Sequence, residues 1–332
     1  MHAIYQPSTL FETGAAQVAV SSAGHLAYAL GGIYPELLST AVRITLAGDT
    51  IPLEMEPAAY VGFRVSPDGE RVASHASSRG GQNIVVHDLD RGVPQRLNNR
   101  IFEDQGPVWS PDGTELAFNS PVEGVFTMYR RSADGSGDPE RLTSSDLNQV
   151  LWSWSSQGVL AFTQFDEDAM ERNIWVLLPD GSTERFFAAE GSERNAAFSP
   201  DGEWLAYGTL RRGRNEVWVR PYPSGEPATL ITDNGSTPAW SPDGRKIYYR
   251  VPGALMAVDV IPGDDFRAGR AAPLIEPWTF GMDPRGYDVF PDGSFVTAVA
   301  GEYGSLDERF RATELHVVLN WFEELKERLG ND

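Results

Sequence analysis

The chain has 332 residues, 41% hydrophobic and 11% aromatic, with 33 glycines and 23 prolines, which suits a sizeable core built from short strands and many turns. Its formal charge of −20 repels phosphate backbones and excludes nucleic acid as a partner. With no cysteine, it has no disulfide, thiolate metal site or cysteine nucleophile.

The opening residues, Met1-His2-Ala3-Ile4-Tyr5-Gln6-Pro7, lack the basic start and apolar core of a signal peptide. No stretch reaches the about 18 consecutive apolar residues of a membrane span. A monomeric cytoplasmic protein is expected, or a periplasmic or extracellular one if the chain is cut from a longer parent. Ser-Ser-Ala-Gly at 21–24 is the first, worn copy of a phrase. It recurs as Ser-Pro-Asp-Gly at 66–69, 110–113, 199–202 and 241–244, as Ser-Ser-Gln-Gly at 155–158 and as Phe-Pro-Asp-Gly at 290–293. The steps between its glycines are 45, 44, 45, 44, 42 and 49 residues. Such a period is one supersecondary unit copied along the chain.

The copy at 195–231 reads most plainly. Asn195–Ser199 is a short strand, and Pro200, Asp201 and Gly202 supply the fixed φ, the side-chain cap and the positive φ of a tight turn. Trp204–Tyr207 is a second strand, Glu216–Arg220 a third with alternating pattern, and Ala228–Ile231 a fourth. Four antiparallel strands in about 44 residues make a propeller blade. The predicted fold is therefore all-β, a single β-propeller domain over 1–332 with seven blades, six being the alternative. Blades are expected near 17–54, 60–98, 105–143, 148–187, 194–232, 236–276 and 285–319. The last copy lacks a fourth strand, and residues 6–12 are expected to supply it and close the ring. The tail at 320–329 has helical spacing and is expected to form a short helix.

Several stretches carry a family resemblance: Phe198 through Tyr207, Asn215 through Pro223, Pro238 through Arg250, Leu255-Met256-Ala257-Val258, and Val317-Val318-Leu319-Asn320-Trp321. They resemble the WD-like propeller repeats of the TolB type, and most nearly the C-terminal propeller of bacterial serine/threonine protein kinases. The resemblance spans essentially the whole chain and implies sensing or protein binding without defined catalytic residues. The kinase phosphate loop, His-Arg-Asp and Asp-Phe-Gly motifs are absent, so kinase activity is not implied.

No hydrolytic motif stands out. His2, His25, His75, His87 and His316 are scattered, with no His-Glu-x-x-His pair. Oligogalacturonate lyases share similar repeats but cluster histidines on a metal, and this chain has no such cluster late in its sequence. There is no Gly-x-Ser-x-Gly elbow. Large residues precede the first turns, among them Trp109, Trp152, Phe198 and Trp240; they suit packing between blades, with ligand stacking as the alternative. The aspartates of the Pro-Asp-Gly turns are read as caps.

In a propeller the first strands line the central channel. Residues entering them should present Tyr60, Gln105, Gln149 and Arg285 to a ligand. Asp104, Asn148, Glu193 and Asn195 are the candidate ligands for a metal, Ca²⁺ being the ion suited to such oxygens. A water-filled polar channel is the alternative. The irregular loops, including 166–172, 301–313 and Arg211, Arg212 and Arg214, should form the face that meets a protein or small ligand. The expected function is a non-enzymatic sensor or interaction module. The alternative is a metal-dependent hydrolase of lactones, esters or phosphotriesters at the channel mouth.

Overall fold

A computed structural model describes residues 18–20, 25–30, 38–78, 81–97, 104–122, 124–165, 172–187, 191–261, 265–278, 286–300, 314–318 and 321. The chain divides into two compact units, one formed by Met1–Leu38 with Gly301–Asp332 and the other by Ser39–Ala300. In chain order the strands begin with β1 (Val18–Val20), β2 (Leu26–Leu30), β3 (Ser39–Ile44) and β4 (Thr50–Pro52). Five meanders follow. The first is β5 (Ala59–Val65), β6 (Arg71–Ser78), β7 (Gly81–Asp88) and β8 (Pro94–Arg96). Next come β9 (Gln105–Trp109), β10 (Glu115–Val122), β11 (Val125–Ser132) and β12 (Glu140–Arg141). The third is β13 (Gln149–Trp154), β14 (Leu160–Phe165), β15 (Arg172–Leu177) and β16 (Thr183–Arg185), and the fourth β17 (Ser192–Phe198), β18 (Trp204–Arg211), β19 (Arg214–Pro221) and β20 (Thr229–Thr232). The fifth is β21 (Ser236–Trp240), β22 (Lys246–Val251) and β23 (Ala254–Ile261), with β24 (Arg267–Ala268) and β25 (Ala272–Ile275) both on β23. Last are β26 (Tyr287–Val289), β27 (Phe295–Ala300) and β28 (Glu314–Val318). No helix among the described residues is long and apolar enough to cross a membrane.

In the smaller unit β2 pairs antiparallel with β1 on one side and β28 on the other. In Ser39–Ala300 the five meanders are joined by a sixth sheet, β26-β27-β3-β4. The inner strands follow one another around a ring, β5, β9, β13, β17, β21, β26 and back to β5. This pairing differs from the expected partition of the ends. β3 and β4, expected in a blade with 17–30, complete the sheet of β26 and β27, while β28, expected on β27, lies on β2. Burial explains the choice. Ala41, Val42 and Ile44 of β3 are fully buried on β27, whereas Val317 of β28 is 57% exposed. The expected closing strand at 6–12 and the helix at 320–329 lie outside the described residues, Trp321 apart.

Packing follows a rule within the second strands. Leu116 and Phe118 face the preceding blade, and Ala117 between them faces the following one. Leu160, Ala161 and Phe162 repeat this, as do Leu205, Ala206 and Tyr207. Large side chains thus fill one seam and a small one admits the neighbour on the other. The seam between Phe63, Val65 and Val72 on one side and Phe290 and Val296 on the other completes the ring. The pre-turn tryptophans belong to these seams: Trp109 Nε1 donates to Arg64 O at 2.9 Å, and Trp240 Nε1 to Ala197 O at 3.0 Å, each on the preceding inner strand.

The repeated turn is a closed hydrogen-bond unit. Ser66 Oγ donates to Asp68 Oδ1 at 2.5 Å and accepts from Arg71 N at 2.9 Å, while Gly69 N donates to Ser66 O at 2.9 Å. Ser110 with Asp112, Ser199 with Asp201, and Ser241 with Asp243 repeat the pattern. The aspartates are therefore caps. Three of these turns also seat their glycine against a neighbouring turn's proline. Gly113 lies against Pro67, Gly244 against Pro200 and Gly69 against Pro291. A Cβ on Gly69, whose φ is +77°, would sit 2.9 Å from Pro291 Cδ. Gly69→Ala should therefore lower stability by about 2 kcal/mol or more in chemical denaturation, through both the left-handed backbone and the neighbouring ring.

The Ser110 hydroxyl, then the Thr114 N–H and hydroxyl, hold the Asp112 carboxyl down at about 2. An unfolded aspartate titrates near about 3.9, so this cap's contribution is whole above about pH 4 and is lost as pH falls through about 2. Melting temperature should fall across that window, and Asp112→Asn should flatten the fall in melts recorded at stepped pH.

Candidate functional site: the central channel

The six inner strands enclose a cavity of about 460 Å³ at the end that carries the repeated turns. Its wall is irregular because the inner strands bulge. Register slips occur opposite Gly106, across Asn195 and Ala196, and across Thr237 and Pro238. Gly106, Asn195 and Thr237 occupy one position, three residues before Trp109, Phe198 and Trp240, and share φ values of 61°, 56° and 54°. A non-glycine residue in this left-handed region is uncommon, and such strain gathers where backbone shape serves a site.

Two charged residues, Arg64 and Asp288, line the cavity wall. Arg64 and Asp288 occupy equivalent places on the neighbouring strands β5 and β26, where the other copies carry Val108, Ser153, Ala197 and Ala239. Asp288 Oδ2 accepts from Val65 N at 2.8 Å. Burial pushes its carboxyl up, against the pull of the Arg64 guanidinium. Burial likewise raises Tyr287, whose hydroxyl donates to Thr237 O at 2.7 Å. Asn195 is 6% exposed, and its Oδ1 is buried with no hydrogen-bond partner among the described residues. Trp152 Nε1 is engaged with Thr163 Oγ1 at 2.6 Å, so part of the aromatic set is fixed by the blades themselves.

The sequence-selected residues fall in several places. Asn195 lines the cavity. Asp104 and Gln105 are buried at the start of β9, and Asn148 and Gln149 stand at the start of the adjacent β13. Asn148 Oδ1 accepts from Phe126 N at 2.9 Å, which ties β13 to the preceding blade. Gln149 sits in a relay, accepting from Thr143 Oγ1 at 2.6 Å and donating to Gln164 Oε1 at 3.0 Å. Its backbone carbonyl accepts from Asn119 Nδ2 at 2.9 Å. Glu193 is buried in β17, and its backbone carbonyl accepts from Thr163 Oγ1 at 3.2 Å. Tyr60 donates to Glu56 O at 2.5 Å and packs on Phe63 with ring centroids 5.0 Å apart. Burial, then the Glu56 charge, push it up to about 12. Arg285 and the loops 166–171 and 301–313 lie outside the described residues. Among the described residues no three His, Cys, Asp or Glu side chains gather as an ion-holding set. Asn148, Gln149 and Tyr60 thus serve at least in part as links within and between blades. Arg64 and Asp288 escaped notice in the sequence, although a charge in the middle of an otherwise uncharged inner-strand position is a readable signal.

The family model described as the TolB beta propeller domain matches residues 57–173. An uncharacterized protein of Agrobacterium fabrum is 31% identical over 153 residues, 43% of this chain and 52% of that protein. The chain spans about half or less of the length of the curated relatives it matches. A solved structure assigned to TolB of Agrobacterium tumefaciens is similar with a TM-score of 0.61 at 20% identity, covering 79% of this chain and 98% of that one. An oligogalacturonate lyase in complex with manganese is similar with a TM-score of 0.54 at 14% identity, covering 87% of this chain and 96% of that one. These structural likenesses show the fold. Together with the repeated turn and the ring of inner strands, they show that the chain has a β-propeller fold similar to that of TolB, and that residues 57–173 match the TolB beta propeller domain.

Proposed function

We propose that this protein is a non-enzymatic binding module whose central channel, at the end of the repeated turns, receives a peptide segment or small polar ligand of a partner. The observation that carries this reading is the cavity wall, where Arg64 and Asp288 stand on neighbouring inner strands and Asn195 is held in a left-handed backbone. The tryptophans and Tyr287 around that cavity offer apolar area, and Arg64 and Asp288 offer two charges of opposite sign to orient a ligand. The fixed blades leave little to reorganise on binding, which favours affinity.

The test is a display screen of random peptides against the immobilised protein, repeated with Asn195→Leu and Asp288→Asn. Peptides selected by the wild type should bind the variants about tenfold or more weakly, while both variants still melt cooperatively. Selected binders that ignore both substitutions would place binding elsewhere.

The second reading is metal-dependent hydrolysis at the other channel mouth. It is favoured by the buried Asp104 and Glu193 at the starts of inner strands and by the likeness to a manganese-bound lyase. On the binding reading, a chelator should change neither the melting temperature nor the turnover of an activated ester. A chelator-sensitive turnover that Asp104→Asn removes would favour the hydrolase instead.

A further inference from the structure

At the ends of β15 and β17 remote from the repeated turns, two arginines lie side by side. Arg172 forms the single parallel bridge to Ser192, two residues from Arg194. Both side chains are half-buried. The Arg172 guanidinium lies over the Phe165 ring, 4.6 Å from its centroid, and Arg194 donates to Asn215 Oδ1 at 2.7 Å. Neither makes an ion pair with a carboxylate of the described residues. The nearby carboxylates are placed otherwise. Glu193 lies with its register partner Thr209 on the opposite side of the strand from Arg194. Glu216 accepts from Trp218 Nε1 at 2.8 Å, and Asp233 takes Arg214 at 3.3 Å. Burial, then repulsion from Arg194, hold Arg172 below the usual guanidinium range, and burial does the same to Arg194. In a chain of formal charge −20, two adjoining half-buried cations with no carboxylate partner among the described residues are an anomaly.

The ground beside them is open. Asn215, gripped by Arg194, lines a groove of about 310 Å³ with Gly213, Arg214, Asp233 and Asn234. The groove's rim thus combines amides with a guanidinium already paired at 3.3 Å to the Asp233 carboxylate, and Arg194 holds Asn215 of that rim. A planar guanidinium pair suits an oxyanion, because each fork can present two parallel N–H donors to carboxylate or phosphate oxygens.

We propose that Arg172 and Arg194, with Arg214 at the rim of the adjoining groove, form a binding site for an oxyanion, a carboxylate or phosphate group presented by a small molecule or a partner. The bound anion supplies a counter-charge that the described residues do not, and holds the ends of β15 and β17 together. The site is separate from the ligand cavity at the turn end and stands or falls independently of it.

Thermal melts and calorimetric titrations at constant ionic strength would test this with sodium phosphate and sodium citrate as two arms, and sodium chloride as the control. One of the two anions should raise the melting temperature above the chloride control at about 10 mM. Arg194→Gln should weaken that anion about tenfold or more, and Arg194→Lys should weaken it less, since lysine keeps the charge and loses the fork. Without anion, Arg194→Gln should melt at the wild-type temperature or above, because it removes a repulsion. Three results would each overturn the proposal: no shift beyond chloride in either arm, an unchanged shift in Arg194→Gln, or anion-free destabilisation by Arg194→Gln. If Arg194→Gln does not fold, Arg172→Gln carries the same comparison. The arm that responds identifies phosphate or carboxylate as the chemistry.

Discussion

The seating of three turn glycines against the prolines of the preceding turns is the contact on which the ring depends. Gly113 on Pro67, Gly244 on Pro200 and Gly69 on Pro291 each join two blades at the same height. The phrase therefore has two roles: its proline and glycine shape a hairpin turn, and they also form the two halves of a joint. Above that joint the tryptophan before the turn reaches back to the preceding inner strand. Beside it, the large and small residues of the second strands interlock. Local turn chemistry and long-range packing agree at every copy, as a well-specified fold requires.

The turn between β26 and β27 is braced within its own sheet by a different residue. Arg43 of β3 donates to Ser294 Oγ at 2.7 Å and to Asp292 Oδ2 at 2.5 Å, and its guanidinium stacks 4.3 Å from the Phe290 ring centroid. Arg71 reaches across a seam to the following blade, bonding Gly113 O at 2.8 Å and stacking 4.7 Å from the Trp109 centroid. Exposed ion pairs of this kind contribute little alone, but a stacked and hydrogen-bonded arginine also covers apolar surface. A channel walled by such seams keeps its shape whether or not anything occupies it, and that is the property a recognition site built on inner strands needs.

The body of the fold was legible because the repeated phrase marks the turns of the meanders, and the Leu-Ala-aromatic second strands at 116–118, 160–162 and 205–207 confirm three of the copies. The ends were not, because the phrase says nothing about which outer strand pairs with which. That choice between β3 and β28 is made by burial on β27, which no local pattern displays. The candidate site was legible only in outline. The inner-strand positions that select Asn195, Asp104 and Glu193 follow from the repeat. Arg64 and Asp288 become neighbours only when β5 and β26 meet across the ring. Asn148 and Gln149 look like free channel polar groups in the sequence, yet their partners, Phe126 and Thr143, lie in the preceding blade.

The sheet that joins β27 to β3 spans nearly the whole of the larger unit in sequence, with Phe295 opposite Ile44 and Ala300 opposite Ser39. A ribosome making this protein releases β3 long before its mate exists. Until about the three-hundredth residue emerges, that apolar segment has an empty flank, and the nascent arc of five blades has two open sides. Such distant pairing slows folding and lengthens the interval in which a neighbouring chain can take the vacant place. The protein's exposure to misassembly is thus concentrated at one seam and in one window of its synthesis.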